Sequence, residues 1–182
     1  MKTNKYISVV LLIVIAILIN ILISFINWNF DLTADKKYSF AKESTTIINS
    51  LDEELLIEVY LEGDFPAEFK KLQKATEDLL KRFKAINSDH IDFKFINPNE
   101  SENDEEKLYL IKKLVKNKLL PTDLEIKKDG KQVNQIIFPG AIISDEAGRK
   151  VAVNFLKKLP GESAGSSINA SIEALEYEFV SA

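Results

Sequence analysis

The sequence predicts an α/β protein in which an N-terminal transmembrane helix precedes one mixed domain. Three observations support this fold class. An uncharged apolar run extends from Tyr6 to Ile26. Two runs of alternating apolar and polar residues, 55–61 and 91–95, flank a segment whose apolar residues have helical spacing. Beyond residue 120, short strand-like runs separated by turn residues indicate further β structure.

The run from Tyr6 to Ile26 predicts a membrane anchor. It has 21 residues, of which 16 are Leu, Ile, Val or Phe. A helix of this length covers roughly 30 Å, the thickness of a bilayer's hydrocarbon core. A buried core helix this apolar would need protein on every side, and a cleaved signal peptide would have a shorter apolar region followed by a small-residue cleavage site. We therefore expect an uncleaved anchor within residues 1–28.

Charges on either side of the run predict its orientation. Lys2 and Lys5 precede it, and Asp31 is the first charge after it. The positive-inside rule then places the N-terminus in the cytoplasm and the residues after the run on the other side of the membrane. We expect residues 29–54 to form a juxtamembrane segment and residues 55–182 to form an extracytoplasmic α/β domain.

The composition argues against several classes of function. Beyond Lys2 and Lys5 the chain has 22 basic and 28 acidic residues, a formal charge of −6, which disfavours binding to nucleic acid or to anionic lipid. The chain has no Cys, which excludes disulfides, thiol redox chemistry and thiolate metal sites. His90 is the single His, so no His cluster is available for zinc. We expect neither a cofactor nor a metal.

The first half of the domain predicts a βαβ unit. Before it, at the end of the juxtamembrane segment, we expect a short amphipathic helix with Ile48 on its apolar side. In the strand 55–61, one face is apolar, and the other holds Glu58 and Tyr60. Gly63 to Pro66 interrupts this strand, and the following residues repeat apolar side chains at three- and four-residue steps as far as Ile86, as a helix does. With the strand 91–95 after it, this order predicts a parallel strand pair.

The second half predicts a helix, a β-meander and a last helix. In the helix 102–118, four apolar residues are expected to face the core: Leu108, Ile111, Leu114 and Val115. The acidic residues at its start lack the spacing of a calcium loop and are typical of a helix N-terminus. Asp129-Gly130 indicates a hairpin between strands 123–128 and 132–138. Strands near 141–144 and 149–155 and a helix 168–180 follow. A thioredoxin-like arrangement without its cysteines is one topology that fits.

One motif suggests catalysis. Gly161 to Gly165 matches the G-x-S-x-G pattern that presents a nucleophilic serine in α/β-hydrolases, here Ser163. The approach to it, Lys157 to Pro160, is not the buried apolar strand that this motif needs, and His90 precedes the serine where the family order requires a later His. A polar loop explains the pattern better, so we expect no catalytic residue.

Five groups of residues, in order along nearly the whole chain, carry a family resemblance. They are Asp31-Leu32-Thr33 with Lys37-Tyr38-Ser39, Val59–Pro66, Phe95–Pro98, Ile137–Ala141, and Ile168-Asn169 with Ser171-Ile172-Glu173 and Leu175–Phe179. Together they resemble the N-terminal part of the gliding-motility ABC transporter auxiliary subunit, GldG type. Proteins of that family continue beyond the position of Ala182, so we expect the domain to be truncated at its C-terminal side.

The resemblance implies a non-enzymatic auxiliary subunit in the inner membrane, with its domain in the periplasm. Its partners would be an ABC permease and, through it, a cytoplasmic ATPase subunit. The family brings no catalytic or ligand-binding residues. From their place beside the anchor, we predict Asp31, Tyr38 and Phe40 as contacts with the permease; packing against the domain's own core is the alternative for these three residues. A free-standing membrane-anchored binding or sensor domain remains the alternative, and a hydrolase acting through Ser163 is the third hypothesis.

Overall fold

The computed structural model describes residues 42–101, 103–128, 131–157 and 164–182, together with Leu11, Val14 and Ile15, which are helical. The rest of the predicted anchor, Tyr6–Ile26, lies outside the described residues. Within the part of the chain that the structure describes, no helix combines the length and the apolar character needed to cross a bilayer. The chain divides into two compact units, Met1–Ser39 and Phe40–Ala182. The second unit contains all the elements below.

The described residues of the unit Phe40–Ala182 form four helices and six strands, which confirms the α/β class. In chain order they are α1 (Lys42–Asn49), β1 (Leu55–Val59), α2 (Ala67–Ile86), β2 (Ile91–Phe95), α3 (Asp104–Lys116), β3 (Thr122–Lys128), β4 (Lys131–Ile137), β5 (Gly140–Asp145), β6 (Lys150–Asn154) and α4 (Ala164–Val180). Each strand and helix predicted within this unit is present, and α4 begins four residues earlier than predicted.

Four of the strands form the main sheet, in the order β2-β1-β5-β6. β1 and β2 are parallel, with Leu55 opposite Ile91 and Val59 opposite Phe95, which confirms the predicted βαβ unit. β5 is antiparallel to β1, and β6 is antiparallel to β5. The two parallel strands therefore end at the same edge of the sheet as the beginning of β5.

The predicted β-meander is wrong in its pairing. β3 and β4 form a separate two-stranded sheet, with Thr122 opposite Ile137. β5 pairs with β1 instead of β4. The residues Phe138 and Pro139 separate β4 from β5 and redirect the chain. Four consecutive strands thus form two hairpins, a difference that alternation along each strand does not reveal.

Alternation of side chains gives the main sheet two buried faces. On one face, Val59 and Val153 pack in a core that includes Leu80 of α2 and Phe179 of α4. On the other face, Ile142 packs with Leu114 of α3 and with a second group of buried residues, Tyr60, Leu119 and Phe138. The sheet is therefore covered by α2 and α4 on one side and by α3 on the other.

α2 forms because its apolar residues follow the helical period. Leu72, Thr76, Leu79, Leu80 and Phe83 are its buried residues. The Thr76 hydroxyl donates a hydrogen bond to the Leu72 carbonyl at 2.9 Å, which satisfies this buried polar group. Each fully buried Leu contributes roughly 1.5–3 kcal/mol to stability.

α3 has defined caps at both ends. The Asn103 side chain accepts a hydrogen bond from the Glu105 N–H at 2.9 Å. At the other end, the Leu119 N–H donates to the Leu114 carbonyl at 3.1 Å and the Lys118 N–H donates to the Val115 carbonyl at 2.9 Å. This pair of bonds is a Schellman motif, whose turning residue, Lys118, has a φ of 67°.

The predicted inward face of α3 is partly wrong. Leu114 is buried and Ile111 is partly buried, as expected, but Leu108 and Val115 are exposed. The helix contacts the sheet along a line through Leu110 and Leu114, and this rotation turns Leu108 and Val115 to the outer side.

Candidate functional site

Three segments singled out by the sequence meet at one edge of the main sheet. Val59–Pro66 follows β1, Phe95–Pro98 follows β2, and Ile137–Ala141 leads into β5. The carboxyl ends of parallel strands are where α/β sheets most often bind ligands and partners, because the loops that follow them converge there. We call these three segments the loop edge.

Backbone hydrogen bonds hold the loop edge together. The Tyr60 N–H donates to the Gly140 carbonyl at 2.9 Å, and the Ile96 N–H donates to the Val59 carbonyl at 2.8 Å. These bonds extend the sheet ladders past the last residues of β1 and β2. The three segments therefore have fixed relative positions.

Gly140 allows the closest approach in this region. A Cβ atom at this position would lie 2.5 Å from the Val153 carbonyl oxygen and 2.7 Å from Cδ1 of Leu119. Real Cβ atoms do not approach other atoms this closely, so no larger residue fits without displacement of β6 or Leu119. Gly140 therefore permits both the packing of β5 against β6 and the seating of Leu119.

The segment after β1, Val59–Pro66, has a buried side and an exposed side. Leu61 and Phe65 are buried, whereas Glu62 and Asp64 are exposed. Gly63, between them, has a φ of 147°, a conformation that side-chain-bearing residues rarely adopt. The loop therefore presents carboxylates to solvent while its apolar residues anchor it to the core, and Asp64 forms an ion pair with Lys70 at 3.0 Å.

Hydrogen bonds through Asn99 connect the segment after β2, Phe95–Pro98, to the β3–β4 hairpin. The Asn99 N–H donates to the Asn97 side-chain oxygen at 3.0 Å, which closes a local turn. The side-chain amide nitrogen of Asn99 donates to the Ile136 carbonyl at 3.0 Å. The hairpin therefore has a direct connection to the loop edge.

A polar cluster lies beside the loop edge, on the α3 face of the sheet. Glu58 of β1 is directly opposite Lys94 of β2, and their charged groups are 3.0 Å apart. The Tyr60 hydroxyl donates to the second oxygen of Glu58 at 3.1 Å. Only 19% of the Glu58 side chain is exposed, and Tyr60 is buried. The sequence pattern predicted Tyr60 on the polar side of a half-buried strand, but α3 covers it.

The cluster fixes the protonation states of its members. Burial opposes ionisation of Glu58, but the hydrogen bond from Lys94, its positive charge and the Tyr60 hydroxyl together hold the pKa of this carboxyl below its ordinary value. Burial, followed by the charge of Glu58, raises the pKa of the Tyr60 phenol. Near neutral pH the carboxylate stays charged and the phenol stays protonated. A general acid or base needs a pKa near the working pH, so this geometry suits a structural link between strands better than proton transfer.

A comparison with known families adds one finding. Residues 34–144, more than half of the chain, match a family described as a domain of unknown function, DUF7088. The chain belongs to this family. The matched DUF7088 segment includes all three segments of the loop edge, and it ends within β5, before β6 and α4. No curated protein and no solved structure matches the chain.

The opposite edge of the sheet has a shallow depression lined by polar residues, including His90, Asp92 and Asp145. The His90 ring lies 3.0 Å from the Asn87 side-chain oxygen, Asp92 pairs with Lys84 at 2.8 Å, and Asp145 pairs with Arg149. Among the described residues, no group of three His, Cys, Asp or Glu side chains could hold a metal ion. Two carboxylates of this depression, Asp92 and Asp145, thus have cationic partners.

The residues predicted as a partner contact, Asp31, Tyr38 and Phe40, lie outside the described residues, as does Ser163. Their roles stay predictions. The strand patterns placed Glu58 and Lys94 on polar faces but gave no sign that the two face each other, since that depends on strand register. The parallel βαβ prediction makes the two strands neighbours, but the register that places Glu58 opposite Lys94 comes from the structure.

Proposed function

We propose that this chain is a non-enzymatic, membrane-anchored auxiliary subunit of an ABC transporter of the gliding-motility type. The observation that carries the proposal is the ordered set of five sequence motifs that resemble that family. Three of those motifs meet at the loop edge, which supports their having a shared role in contact. An interaction surface would need such a convergence of its residues.

The anchor and the segment after it complete the proposed arrangement. The run Tyr6–Ile26 would hold the protein in the inner membrane, with the N-terminus in the cytoplasm and the domain in the periplasm. Residues 27–41 would then keep the domain near the bilayer. Asp31, Tyr38 and Phe40 would contact the permease, and the permease would connect the subunit to a cytoplasmic ATPase.

We infer that the domain is thioredoxin-like in topology, without the cysteines of that fold. The inference is supported by the sheet order β2-β1-β5-β6, by the parallel β1–β2 pair with antiparallel β5 and β6, and by α2 and α4 on the face opposite to α3. The β3–β4 hairpin is an insertion before β5. With no Cys in the chain, such a domain would act as a binding scaffold.

Co-purification tests the proposed function. Tagged full-length protein, solubilised from its own cells in mild detergent, should retain the permease and ATPase subunits. Two matched variants separate the contacts. Replacing only Tyr6–Ile26 with an unrelated apolar span should retain the permease, whereas replacing residues 27–41 as well should release it. A protein that purifies alone in several mild detergents, while its permease is expressed, would favour the free-standing sensor.

A further inference from the structure

The outer side of α3 and the turn after it expose an unusual set of apolar side chains. Leu108 is 52% exposed, Tyr109 71%, Val115 49% and Leu120 63%. All four lie within thirteen residues, 108–120. Exposed apolar residues are common singly, but a group of this size within thirteen consecutive residues indicates a contact surface.

Lysines accompany these apolar residues. From Lys107 to Thr122 the sequence contains five Lys and no Asp or Glu, in a chain whose net charge is negative. Lys112, Lys113, Lys116 and Lys118 are exposed. Within the described residues, no ion pair joins the five lysines to a carboxylate. The acidic residues of α3 are confined to its first turn, where they favour the helix N-terminus.

We propose that this side of α3 binds the surface of an anionic lipid bilayer. The α3 surface consists of Leu108, Tyr109, Lys112, Val115, Lys116, Lys118 and Leu120. A helix that combines lysines with exposed Leu and Tyr matches the chemistry of a membrane interface, where apolar side chains enter the headgroup region and ammonium groups meet lipid phosphates. The domain's overall negative charge would keep the rest of its surface away from the same bilayer.

Lys118 adds an independent observation. It is the left-handed residue of the Schellman motif, a position that glycine occupies most often because a side chain is strained there. A lysine at this position has a strained backbone but keeps an exposed positive charge directly after α3. The lipid-binding proposal gives that charge a role.

The chain provides a matched internal control for a test. Tyr177 of α4 is also 71% exposed, but its neighbours are acidic: Glu173, Glu176 and Glu178. The chain has no Cys, so Tyr109→Cys and Tyr177→Cys each give one site for an environment-sensitive fluorophore. The full-length protein is reconstituted into vesicles of phosphatidylglycerol and phosphatidylcholine that carry spin-labelled quencher lipids. The readouts are flotation with the vesicles and quenching at each site.

The proposal predicts strong quenching and a blue-shifted emission at position 109, and neither at position 177. Pure phosphatidylcholine should abolish the difference. Each lysine near an anionic surface contributes about 1 kcal/mol, which changes the ratio of bound to free α3 surface about five-fold. The double substitution Lys112→Gln with Lys116→Gln should therefore lower this ratio about 30-fold. The matched neutralisation of two exposed lysines of α2, Lys74→Gln with Lys81→Gln, should not change it.

Several outcomes would overturn the proposal. Equal quenching at positions 109 and 177 would show that α3 has no preference for anionic lipid. Quenching at position 109 that is the same with and without phosphatidylglycerol would show the same. A change at position 109 that requires co-reconstituted permease would identify a protein contact instead. The test does not depend on the transporter partnership, since it uses only the chain and lipid. A chain that fails to float would count against both the anchor and the α3 surface.

Discussion

Gly140→Ala tests whether the loop edge depends on the close approach at this glycine. The added Cβ atom would lie 2.5 Å from the Val153 carbonyl oxygen and 2.7 Å from Cδ1 of Leu119. Leu119 is buried, and the Val153 carbonyl belongs to the backbone of β6, so neither moves freely. Overpacking of a core costs about 1–3 kcal/mol, and a backbone clash belongs near the upper end of that range.

The assay is urea unfolding of the full-length protein in mild detergent, followed by far-ultraviolet circular dichroism. A loss of unfolding free energy of this size lowers the urea midpoint by about 1 M, given the typical dependence of that free energy on urea concentration. Leu119→Ala removes one of the two clashing groups, so Gly140→Ala should cost less in that background than in the wild type, although the backbone clash remains. A midpoint for Gly140→Ala that matches the wild type would refute the close approach.

Three other perturbations follow from the described contacts. Glu58→Gln should lower stability at neutral pH by about 1–3 kcal/mol, since it removes a charged hydrogen-bond partner from Lys94. The folded-state pKa of Glu58 lies below its ordinary value of 4.5, so this contribution is present above that pH and is lost as the pH falls through the folded pKa. The difference in urea midpoint between wild type and variant should therefore be largest near pH 7 and should narrow as the pH falls below 4.5, and a difference that is independent of pH would contradict the assigned charge. Lys118→Gly should stabilise the fold by up to about 1 kcal/mol because glycine accepts the positive φ, and a loss of stability would show that the lysine side chain contributes packing. Ser163→Ala should leave transporter function unchanged, and covalent labelling of Ser163 by a fluorophosphonate probe would argue for the hydrolase.

The local elements of the domain could be predicted because each has a clear period. Apolar residues alternate around Ile57 and Phe93, and they have helical spacing from Phe69 to Ile86. Both patterns involve only residues that are close together in the sequence, so they can be recognised without knowledge of the fold. The parallel pairing of β1 and β2 followed from the intervening helix. These features confirm the α/β class and the βαβ unit.

Long-range arrangement could not be predicted in the same way. Tyr60 has a polar group and lies on the polar side of its strand, yet α3 covers it because the second face of the sheet is also buried. The pairing of β5 with β1 depends on where the chain turns after Phe138. Val115 is exposed because the orientation of α3 is set by its partners on the sheet and not by its own apolar spacing. The convergence of the loop edge has the same origin in sheet order.

Site-specific photo-crosslinking in cells tests most directly whether the chain is a subunit of a transporter. A photoreactive amino acid is placed at Asp31, Tyr38 or Phe40, with Tyr177 as the control position. The proposed function predicts that at least one of the first three positions crosslinks to the permease and that position 177 does not. Crosslinks from all three positions only to lipid or to the chain itself, with the permease present, would contradict the account.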